Sequence, residues 1–305
     1  MTDPEGGSHR LTDEVGTVRI GDRDVRRLGF GAMRISGART PDGVRDRATA
    51  IALVRGVHDH GMRFLDAANI YGYGECEEII AEALHPYPDD LLIGTKAGFE
   101  PGKLRPGMTS LPPLGRPEHI RQECEKSLRR LRLDCIEFYQ VHVPDPAVPY
   151  AETVGAFADL QREGKVCHIG VSNVDLPQLE VARGVCEVVA VQNRYNVAER
   201  RSEPVLDRCE ELGIPFIPHT PLVRDAPVVT AVLQEVAGEL AASPRQVAIA
   251  WLLARSPVMA PIPGTSDLAH ALHNVEAARV TLTSAQWERL DSAARGTTDQ
   301  EARVS

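Results

Sequence analysis

Four polar side chains of reactive type follow or end short apolar segments of this chain. Asp66 ends "RFLDA", Lys96 ends "LLIGTK" and His142 ends "CIEFYQVH", while Tyr71 follows Asp66 by five residues. A phenol has an ordinary pKa of about 10, which is too high for an acid–base catalyst near neutral pH. A nearby ammonium lowers that pKa, and a carboxylate keeps the ammonium charged. We therefore predict a proton relay of Asp66, Lys96 and Tyr71, with His142 orienting a carbonyl oxygen.

Each of these side chains also has a structural explanation. An aspartate at a strand end often caps the following loop, and a histidine in an apolar segment is often a core residue. Lys96 is harder to explain in this way, because the chain has four lysines against thirty arginines. Where arginine is the usual cation, a lysine behind "LLIGT" indicates a task that arginine cannot perform.

These residues belong to a chain in which short apolar segments alternate with amphipathic helices. "PEHIRQECEKSLRRL", for example, places Ile120, Cys124, Leu128 and Leu131 on one helical face, with Pro117 in the first turn. Eight strand–helix units of about 30 residues each predict a (β/α)8 barrel, whose active site lies where the strands end. The eight predicted strands are residues 29–33, 63–67, 91–96, 135–142, 165–173, 188–193, 214–220 and 258–264.

Other elements flank the predicted barrel. "TVRIGDRDVRRLGF" predicts an N-terminal β-hairpin that turns at Gly21-Asp22, and residues 284–293 predict an extra C-terminal helix. The expected organisation is a flexible tail over residues 1–14, a single barrel domain over residues 15–293 and a polar tail over residues 294–305.

The competing fold is a doubly wound Rossmann sheet, which opens with G-x-G-x-x-G after its first strand. Neither Gly29 with Gly31 nor Gly72 with Gly74 completes that pattern, so the barrel is favoured. Residues 97–116 are too long and too rich in Gly and Pro for a plain connection. In a barrel they follow the third strand and lie at the active-site face.

Composition limits the classes of function. The net charge of −9 and the absence of a basic stripe argue against nucleic-acid binding. No apolar run approaches the roughly 18 residues of a membrane span, so we expect a cytoplasmic protein. Six cysteines without a C-x-x-C pair predict free thiols rather than disulfides or a metal site, with Cys135 and Cys167 acting as small apolar residues. The oligomeric state is not readable from the sequence.

The motifs of the chain resemble those of the aldo-keto reductase superfamily from about residue 15 to residue 292. They are "FLDAANIYGYGE", "GTKAG", "SLRRLRLDCIEFYQVHVPD", "LQREGKVCHIGVSN", "VQNRYN" and "IPGTSDLAHALHN". The resemblance implies a (β/α)8 barrel that binds NADPH, or NADH, without a Rossmann fold. It implies that Asp66, Tyr71, Lys96 and His142 form the catalytic tetrad. An aldehyde or ketone would then be reduced to an alcohol, with the proton coming from Tyr71.

The same resemblance implies which residues bind the cofactor. Ser172, Asn173 and Gln192 match residues that hydrogen-bond the nicotinamide carboxamide in the family. "PGTSDLAHALHN" matches the segment that holds the adenosine phosphate and adenine. The cofactor-binding residues implied are Met33, Ser172, Asn173, Gln192, His219, Thr220, Leu222, Gly264, Thr265, Ser266, His270 and Asn274.

Two positions depart from the family's pattern. The family usually has Tyr-Ser-Pro-Leu after the seventh strand, and here "HTPL" puts His219 where the tyrosine stacks on nicotinamide. An imidazole has less π surface and can carry charge. Gly264 and His270 stand where lysine and arginine commonly hold the 2′-phosphate, and imidazole is a weaker phosphate ligand than guanidinium. NADPH is the expected cofactor, with NADH as the alternative.

The substrate is less closely specified. The expected pocket contains Met33, Phe99, Val143 and the 97–116 loop, with His219 a further candidate. This loop and the helix after it look similar to a branch that includes pyridoxal reductases. Pyridoxal, small or aromatic aldehydes and natural-product ketones all stay open. Two other functions compete: a cofactor-binding barrel that regulates a partner without catalysis, and an aldolase that uses Lys96 as a Schiff base.

Overall fold

The structure is a computed structural model that describes residues 15–40, 42–102, 110–223 and 225–302, with side chains up to residue 294. The predicted N-terminal tail, residues 1–14, lies outside the described residues. Within them, an antiparallel hairpin is followed by strands and helices in alternation and by a helix at the C-terminal end.

The hairpin has the predicted turn. Strand β1 (Thr17–Ile20) pairs with β2 (Arg23–Arg26), and Ile20 faces Arg23 across Gly21 and Asp22. Gly21 has φ 61°, and a Cβ there would lie 2.4 Å from the His168 ring, so a side chain is excluded by both backbone and space. The apolar residues of the hairpin pack with side chains inside the strand layer, so the hairpin covers the N-terminal end of the barrel.

The barrel sheet has seven parallel strands in sequential order, each paired with its neighbour along the chain. This order confirms the predicted barrel and excludes a doubly wound sheet, in which the order of strands reverses. The strands are β3 (Phe30–Gly31), β4 (Phe64–Asp66), β5 (Leu92–Ala97), β6 (Ile136–Val141), β7 (Val166–Ser172), β8 (Val188–Arg194) and β9 (Phe216–His219).

The eighth predicted strand, residues 258–264, is not a regular strand. The Ala260 backbone N–H donates to the Phe216 carbonyl on one side, at 2.8 Å. On the other side Gly29 N–H donates to the Pro261 carbonyl at 3.0 Å, so the segment bridges β9 and the residue before β3. Its two prolines lack an N–H group and cannot continue the ladder. The barrel is therefore nearly closed by an irregular segment, and the prediction of a full strand there was wrong.

The first predicted strand, residues 29–33, is also shorter than expected. Strand β3 contains two residues, and Ala32–Gly37 form a 3-10 turn directly after it. Met33 therefore lies on a turn at the C-terminal face of the barrel, with 55% of its surface exposed.

Helices cover the outside of the strands. The predicted apolar face of α3 is confirmed, since Ile120, Cys124, Leu128 and Leu131 are all buried and Pro117 opens the helix. The helices are α1 (Arg47–Asp59), α2 (Glu75–Leu84), α3 (Pro117–Leu131), α4 (Tyr150–Arg162), α5 (Leu176–Val185), α6 (Glu203–Leu212), α7 (Pro227–Glu239), α8 (Pro244–Arg255), α9 (Leu268–Val275) and α10 (Ser284–Ala302).

The extra C-terminal helix is present, but it is longer than predicted. We expected a helix over residues 284–293 and a tail from residue 294, whereas α10 continues to Ala302. The prediction ended the helix where the sequence becomes polar, and polar residues do not by themselves end the backbone hydrogen bonding of a helix.

One expectation about the cysteines was wrong. The structure joins Cys135 and Cys167 as a disulfide with a Cα–Cα distance of 6.5 Å, whereas the sequence predicted free thiols. The two residues stand at the starts of adjacent parallel strands, where Ile136 pairs with Val166, and this register brings them within bridging distance. The two cysteines are 32 residues apart in the sequence, so their spacing alone did not predict that they lie close together.

In the part of the chain that the structure describes, no helix combines the length and the apolar composition required to cross a bilayer.

Candidate active site

A cavity of about 930 Å³ opens at the C-terminal face of the barrel, where the strands end. It contains most of the residues that the sequence singled out from separate strands. The predicted residues that line it are Met33, Asp66, Tyr71, Phe99, His142, Val143, Ser172, Asn173, Gln192, His219, Thr220, Leu222 and Gly264.

An ion pair lies at the floor of this cavity. Lys96 Nζ is 2.6 Å from Asp66 Oδ2 and 2.7 Å from the Ala67 carbonyl oxygen. The Lys96 side chain is fully buried and that of Asp66 is 3% exposed. Strand register explains why Lys96 and Asp66 meet. Asp66, the last residue of β4, pairs with Gly94 on β5, and Lys96 follows Gly94 by two residues on the same strand. The pair joins two residues 30 positions apart, as the relay requires.

Tyr71 stands above this pair on the loop that follows β4. Lys96 Nζ lies 5.2 Å from the centre of its ring, and the ring meets His142 edge-on at 6.0 Å. Burial raises the pKa of Tyr71 well above 10, and the negative charge of Asp66 raises it further. We expected Lys96 to lower this pKa, and that expectation was wrong, because burial dominates. Tyr71 is therefore a protonated phenol at neutral pH.

His142 closes the other side of the same corner. Its backbone N–H donates to the Ala97 carbonyl at 2.8 Å, and its ring meets Phe99 edge-on at 4.7 Å. Burial lowers the pKa of His142 well below 6.5, and the positive charge of Lys96 adds to the effect. The imidazole is therefore neutral at pH 7, with one N–H that can donate a hydrogen bond.

Asn173 and His219 form the wall opposite Tyr71. The Asn173 amide nitrogen donates to the His142 carbonyl at 2.9 Å and to Ser172 Oγ at 3.0 Å, while its oxygen lies 2.9 Å from His219 Nε2. Burial lowers the pKa of His219 to about 4, so its ring is neutral at pH 7. Since Asn173 Oδ1 can only accept, the hydrogen of the neutral ring is on Nε2. His219 thus orients the amide that the sequence assigned to cofactor binding.

Known proteins resemble this chain in sequence and in fold. A sequence profile of the Aldo/keto reductase family matches residues 27–226 and 227–295 of the chain. The chain belongs to the aldo-keto reductase family. It is 39% identical over 279 residues to an uncharacterised oxidoreductase of Schizosaccharomyces pombe, and the match covers 91% of this chain and 90% of that protein.

Two further comparisons bear on function. The chain is 37% identical over 285 residues to pyridoxine 4-dehydrogenase of Escherichia coli strain K12, covering 92% of this chain and 98% of that enzyme. An aldo-keto reductase from Klebsiella pneumoniae, solved in complex with NADPH, superposes with a TM-score of 0.76 at 25% identity, covering 91% and 94% of the two chains. This aldo-keto reductase is accordingly an oxidoreductase.

The remaining predicted cofactor residues lie beyond the cavity, in the segment before α9 and within that helix. Asp267 caps this helix by accepting from the His270 backbone N–H at 2.9 Å, and its own N–H lies 3.2 Å from Thr265 Oγ1. The His270 side chain is 59% exposed, whereas Asn274 is buried. Of this segment Gly264 lines the cavity, while Thr265, Ser266, His270 and Asn274 do not.

One side of the cavity is apolar in this aldo-keto reductase. Phe99 and Val143 lie beside His142, and Met33 and Tyr73 stand at the opening. The sequence analysis did not select Tyr73, which is 58% exposed and has φ 59°, in the left-handed region. Its position between Gly72 and Gly74 is the signal that could have marked it, because such a turn projects its central side chain outward.

A buried carboxylate connects the two long loops at this face. Asp145 accepts from the Gly115 backbone N–H and from the Ala147 N–H, each at 2.9 Å. Thr153 Oγ1 adds a bond to the Gly115 carbonyl at 2.8 Å. These bonds fasten the end of the 97–116 loop to the segment after β6. Residues 103–109 of that loop lie outside the described residues.

The sequence analysis also missed Gln140, which is fully buried on β6, two residues before His142. Its amide lies 3.2 Å from Asp66 Oδ1. The alternation of Phe138, Gln140 and His142 along the strand was a usable signal, because Gln140 is a polar residue where an apolar one is expected. Among the described residues no cluster of three or more His, Cys, Asp or Glu is arranged to hold a metal ion.

Proposed function

We propose that this protein reduces an aldehyde or ketone to an alcohol with NADPH, with Tyr71 as the proton donor. The observation that carries the proposal is the convergence of four side chains at one end of one cavity. Tyr71 and His142 line the cavity, and the buried Lys96–Asp66 pair lies directly beneath Tyr71. The resemblance to aldo-keto reductases assigns the same four residues to catalysis.

The charge states support this assignment. Because burial raises the pKa of Tyr71, the phenol holds its proton at neutral pH until a stronger base is presented. An alkoxide that develops on the substrate oxygen is such a base. As the proton leaves Tyr71, the phenolate forms close to the Lys96 ammonium, which stabilises the new negative charge. Asp66 in turn keeps that ammonium oriented.

His142 has a separate role in the proposal. A neutral imidazole donates one hydrogen bond without competing for the proton, so its Nε2–H can hold the carbonyl oxygen next to the Tyr71 hydroxyl. Its low pKa, which follows from burial and from the charge of Lys96, keeps it neutral at pH 7. Two donors on one oxygen would polarise the carbonyl.

The residues at the opposite wall suit the nicotinamide end of the cofactor. Ser172, Asn173 and Gln192 offer both donors and acceptors to a carboxamide, and the neutral His219 ring offers a flat face beside them. Nicotinamide bound there would supply the hydride for the carbonyl carbon. The apolar walls at Phe99 and Val143 would exclude water from the reacting atoms.

The adenosine end fits less well. Residues 258–278 contain no lysine or arginine, and Asp267 adds a carboxylate to the segment expected to meet the 2′-phosphate. His270 and His273 are the basic side chains that α9 offers. NADPH remains the proposed cofactor, since the Klebsiella pneumoniae enzyme is solved with it. NADH is the alternative that this segment favours.

Pyridoxal and pyridoxine are the first substrate pair to test. The Escherichia coli relative is named for pyridoxine, and that protein matches this chain nearly end to end. A planar ring is also compatible with the apolar and aromatic walls around Phe99 and Tyr73.

The experiment combines binding and turnover. We expect NADPH or NADH to bind in a fluorescence titration and to be oxidised in the presence of pyridoxal or of another aldehyde from a screen of aromatic and aliphatic carbonyls. Cofactor binding without turnover of any carbonyl would favour a non-catalytic barrel. If neither dinucleotide binds, both readings are wrong.

A further inference from the structure

The Asp66 carboxylate is held by three donors in the barrel interior. Lys96 Nζ binds Oδ2 at 2.6 Å, and Oδ1 accepts from two amides, Gln140 Nε2 at 3.2 Å and Gln192 Nε2 at 2.8 Å. All four side chains are nearly or fully buried. Gln192 lines the cavity with Asp66, whereas Gln140 and Lys96 do not.

The position of Gln140 follows from strand register and from a missing side chain. Gln140 pairs with Lys96 across β5 and β6, so both side chains reach toward Asp66 on β4 from the same level. Gly94 leaves the space for Phe138, two residues before Gln140 on β6, because a Cβ at Gly94 would lie 2.8 Å from the Phe138 ring; Gln140 Nε2 would be 3.4 Å from that Cβ, which is close to an ordinary contact. The two amides also bond each other, with Gln192 Nε2 3.2 Å from Gln140 Oε1.

A buried ion pair of this kind has a neutral alternative. If the proton moves from Lys96 Nζ to Asp66 Oδ2, the pair becomes an amine and a carboxylic acid with the same total number of protons. Burial favours the neutral form, since a low dielectric penalises charge. Amide donors on Oδ1 favour the charged form, because a carboxylate is a better acceptor than a carboxylic acid. The balance between the two forms therefore depends on Gln140 and Gln192.

The other titratable groups around the Lys96–Asp66 pair carry no charge that would favour its ionised form. Burial raises the pKa of the Cys76 thiol and of Tyr71, and it lowers the pKa of His142 and of His219. All four groups are neutral at pH 7, and they face the pair from α2, from the loop after β4 and from the ends of β6 and β9.

We propose that Gln140 is a positioning residue of the proton relay, which holds Asp66 as a carboxylate and thereby keeps Lys96 an ammonium beneath Tyr71. The proposal rests on the proposed function of Tyr71 as the proton donor. Gln140 acts through Asp66 rather than on the substrate, since it does not line the cavity. Without it, part of the population passes to the neutral pair, and the phenolate of Tyr71 loses the charge that stabilises it.

The first measurement needs neither cofactor nor turnover. Gln140→Met keeps the volume of the side chain and removes its amide. Difference infrared spectra of the cofactor-free protein at neutral pH should show a carboxylic-acid C=O stretch in this variant that the parent lacks. The band should vanish in Gln140→Met/Asp66→Asn, which assigns it to Asp66. If the band is absent from Gln140→Met, Asp66 is ionised without Gln140 and the proposal is wrong.

The second measurement is the pH profile of alcohol oxidation, which requires Tyr71 in its phenolate form. We expect the apparent pKa of the rate to rise by about one pH unit in Gln140→Met, and the rate near neutral pH to fall about tenfold. Gln246→Met, which removes another buried glutamine far from the relay, serves as the control and should keep the parent profile. A parent profile in Gln140→Met would also overturn the proposal.

The two measurements separate the possible failures. A parent that turns over no alcohol or carbonyl contradicts the proposed function, yet the infrared band still tests the role of Gln140. If Gln140→Met does not fold, Gln140→Asn replaces it, since the shorter amide cannot span the distance to Asp66, and the same band and the same shift are expected.

Discussion

Lys96 and Asp66 form a hydrogen-bonded ion pair of 2.6 Å in the interior of the barrel, with no more than 3% of either side chain exposed. Burial by itself lowers the pKa of Lys96, and the carboxylate of Asp66 opposes that effect. Each partner thus stabilises the charge of the other in a place that is almost closed to water. This relationship governs both the stability of the barrel and the proposed chemistry.

Removing Lys96 should destabilise the fold more than removing both charges. Lys96→Met leaves the Asp66 carboxylate buried without its cation, which costs about 3–5 kcal/mol of unfolding free energy. Lys96→Met/Asp66→Asn leaves no buried charge and should be the more stable of the two variants. Urea unfolding measures both, with the surface substitution Lys165→Met as a control that changes stability little. Equal stability of the single and double variants would contradict the prediction.

Tyr71→Phe should abolish most turnover while leaving cofactor binding intact. The phenyl ring keeps the packing against His142 but has no proton to donate, so kcat should fall by about 10²–10⁴-fold. The dissociation constant of NADPH, measured by fluorescence, should stay within a few-fold of the parent. Tyr87→Phe is the matched control, because its hydroxyl bonds the Leu131 carbonyl away from the cavity. A Tyr71→Phe enzyme at the parent rate would refute the assignment.

The stability of the protein should depend on His219 below neutral pH. The pKa of His219 is about 4 in the folded chain and about 6.5 in the unfolded chain, so only the unfolded chain takes up the proton between these values. Its contribution to stability is complete above about pH 6.5 and is lost as the pH falls toward 4, by up to about 1.4 kcal/mol per pH unit.

We therefore expect His219→Gln to lose about 2 kcal/mol less stability than the parent between about pH 7 and about pH 5. Unfolding by urea at each pH provides the measurement. His270→Gln, at a side chain that is 59% exposed, is the control and should follow the parent. The prediction fails if the two variants lose the same stability on acidification.

Asp145→Ala should weaken substrate binding through the loops rather than through chemistry. The substitution leaves the Gly115 and Ala147 N–H groups without their acceptor and costs about 1–3 kcal/mol. Since the released loop carries Phe99, we expect KM for the carbonyl to rise several-fold and kcat to change less. Asp46→Ala removes a cap of similar kind from α1, where neither Asp46 nor Thr49 lines the cavity, and should leave KM unchanged. An unaltered KM in Asp145→Ala would show that these loop hydrogen bonds do not affect substrate binding.

At Tyr73 a glycine should be more stabilising than an alanine, whereas at an ordinary helical position the order is reversed. With φ 59° and ψ 36°, its backbone is in a region that glycine enters without a steric cost. Tyr73→Gly should therefore be more stable than Tyr73→Ala, by up to about 1 kcal/mol. The same pair at Glu82, an exposed residue within α2, should have the reverse order. Thermal unfolding of the four variants tests this, and a less stable Tyr73→Gly would be evidence against left-handed strain.

The fold could be predicted where local pattern and burial agree. The hairpin turn at Gly21-Asp22, the apolar face of α3 and most strands were predicted, because period and composition act over a few residues. The segment 258–264 was predicted as a strand, since its apolar residues and length match one. Its prolines remove the donors that a ladder needs, and the neighbouring strands close around it with few hydrogen bonds.

The candidate site was predictable to a similar degree. Polar residues at strand ends are visible in a sequence, and the barrel rule gathers them at one face, so Asp66, Tyr71, Lys96 and His142 could be selected together. Gln140 could not be selected, because its contact with Asp66 depends on the register of three strands, β4, β5 and β6. The direction of the Tyr71 pKa was also misjudged, since the cost of burial cannot be known before the surroundings are.

The sequence alone determined the types of reactive side chain, their places at the ends of apolar strands and the alternation that makes a barrel. These are properties of short segments, and short segments carry them without help from the rest of the chain. Only the tertiary structure decided which groups meet: Asp66 with two amides as well as Lys96, His219 with Asn173, and Cys135 with Cys167. Such contacts depend on strand register and on burial, which are set when distant segments pack together.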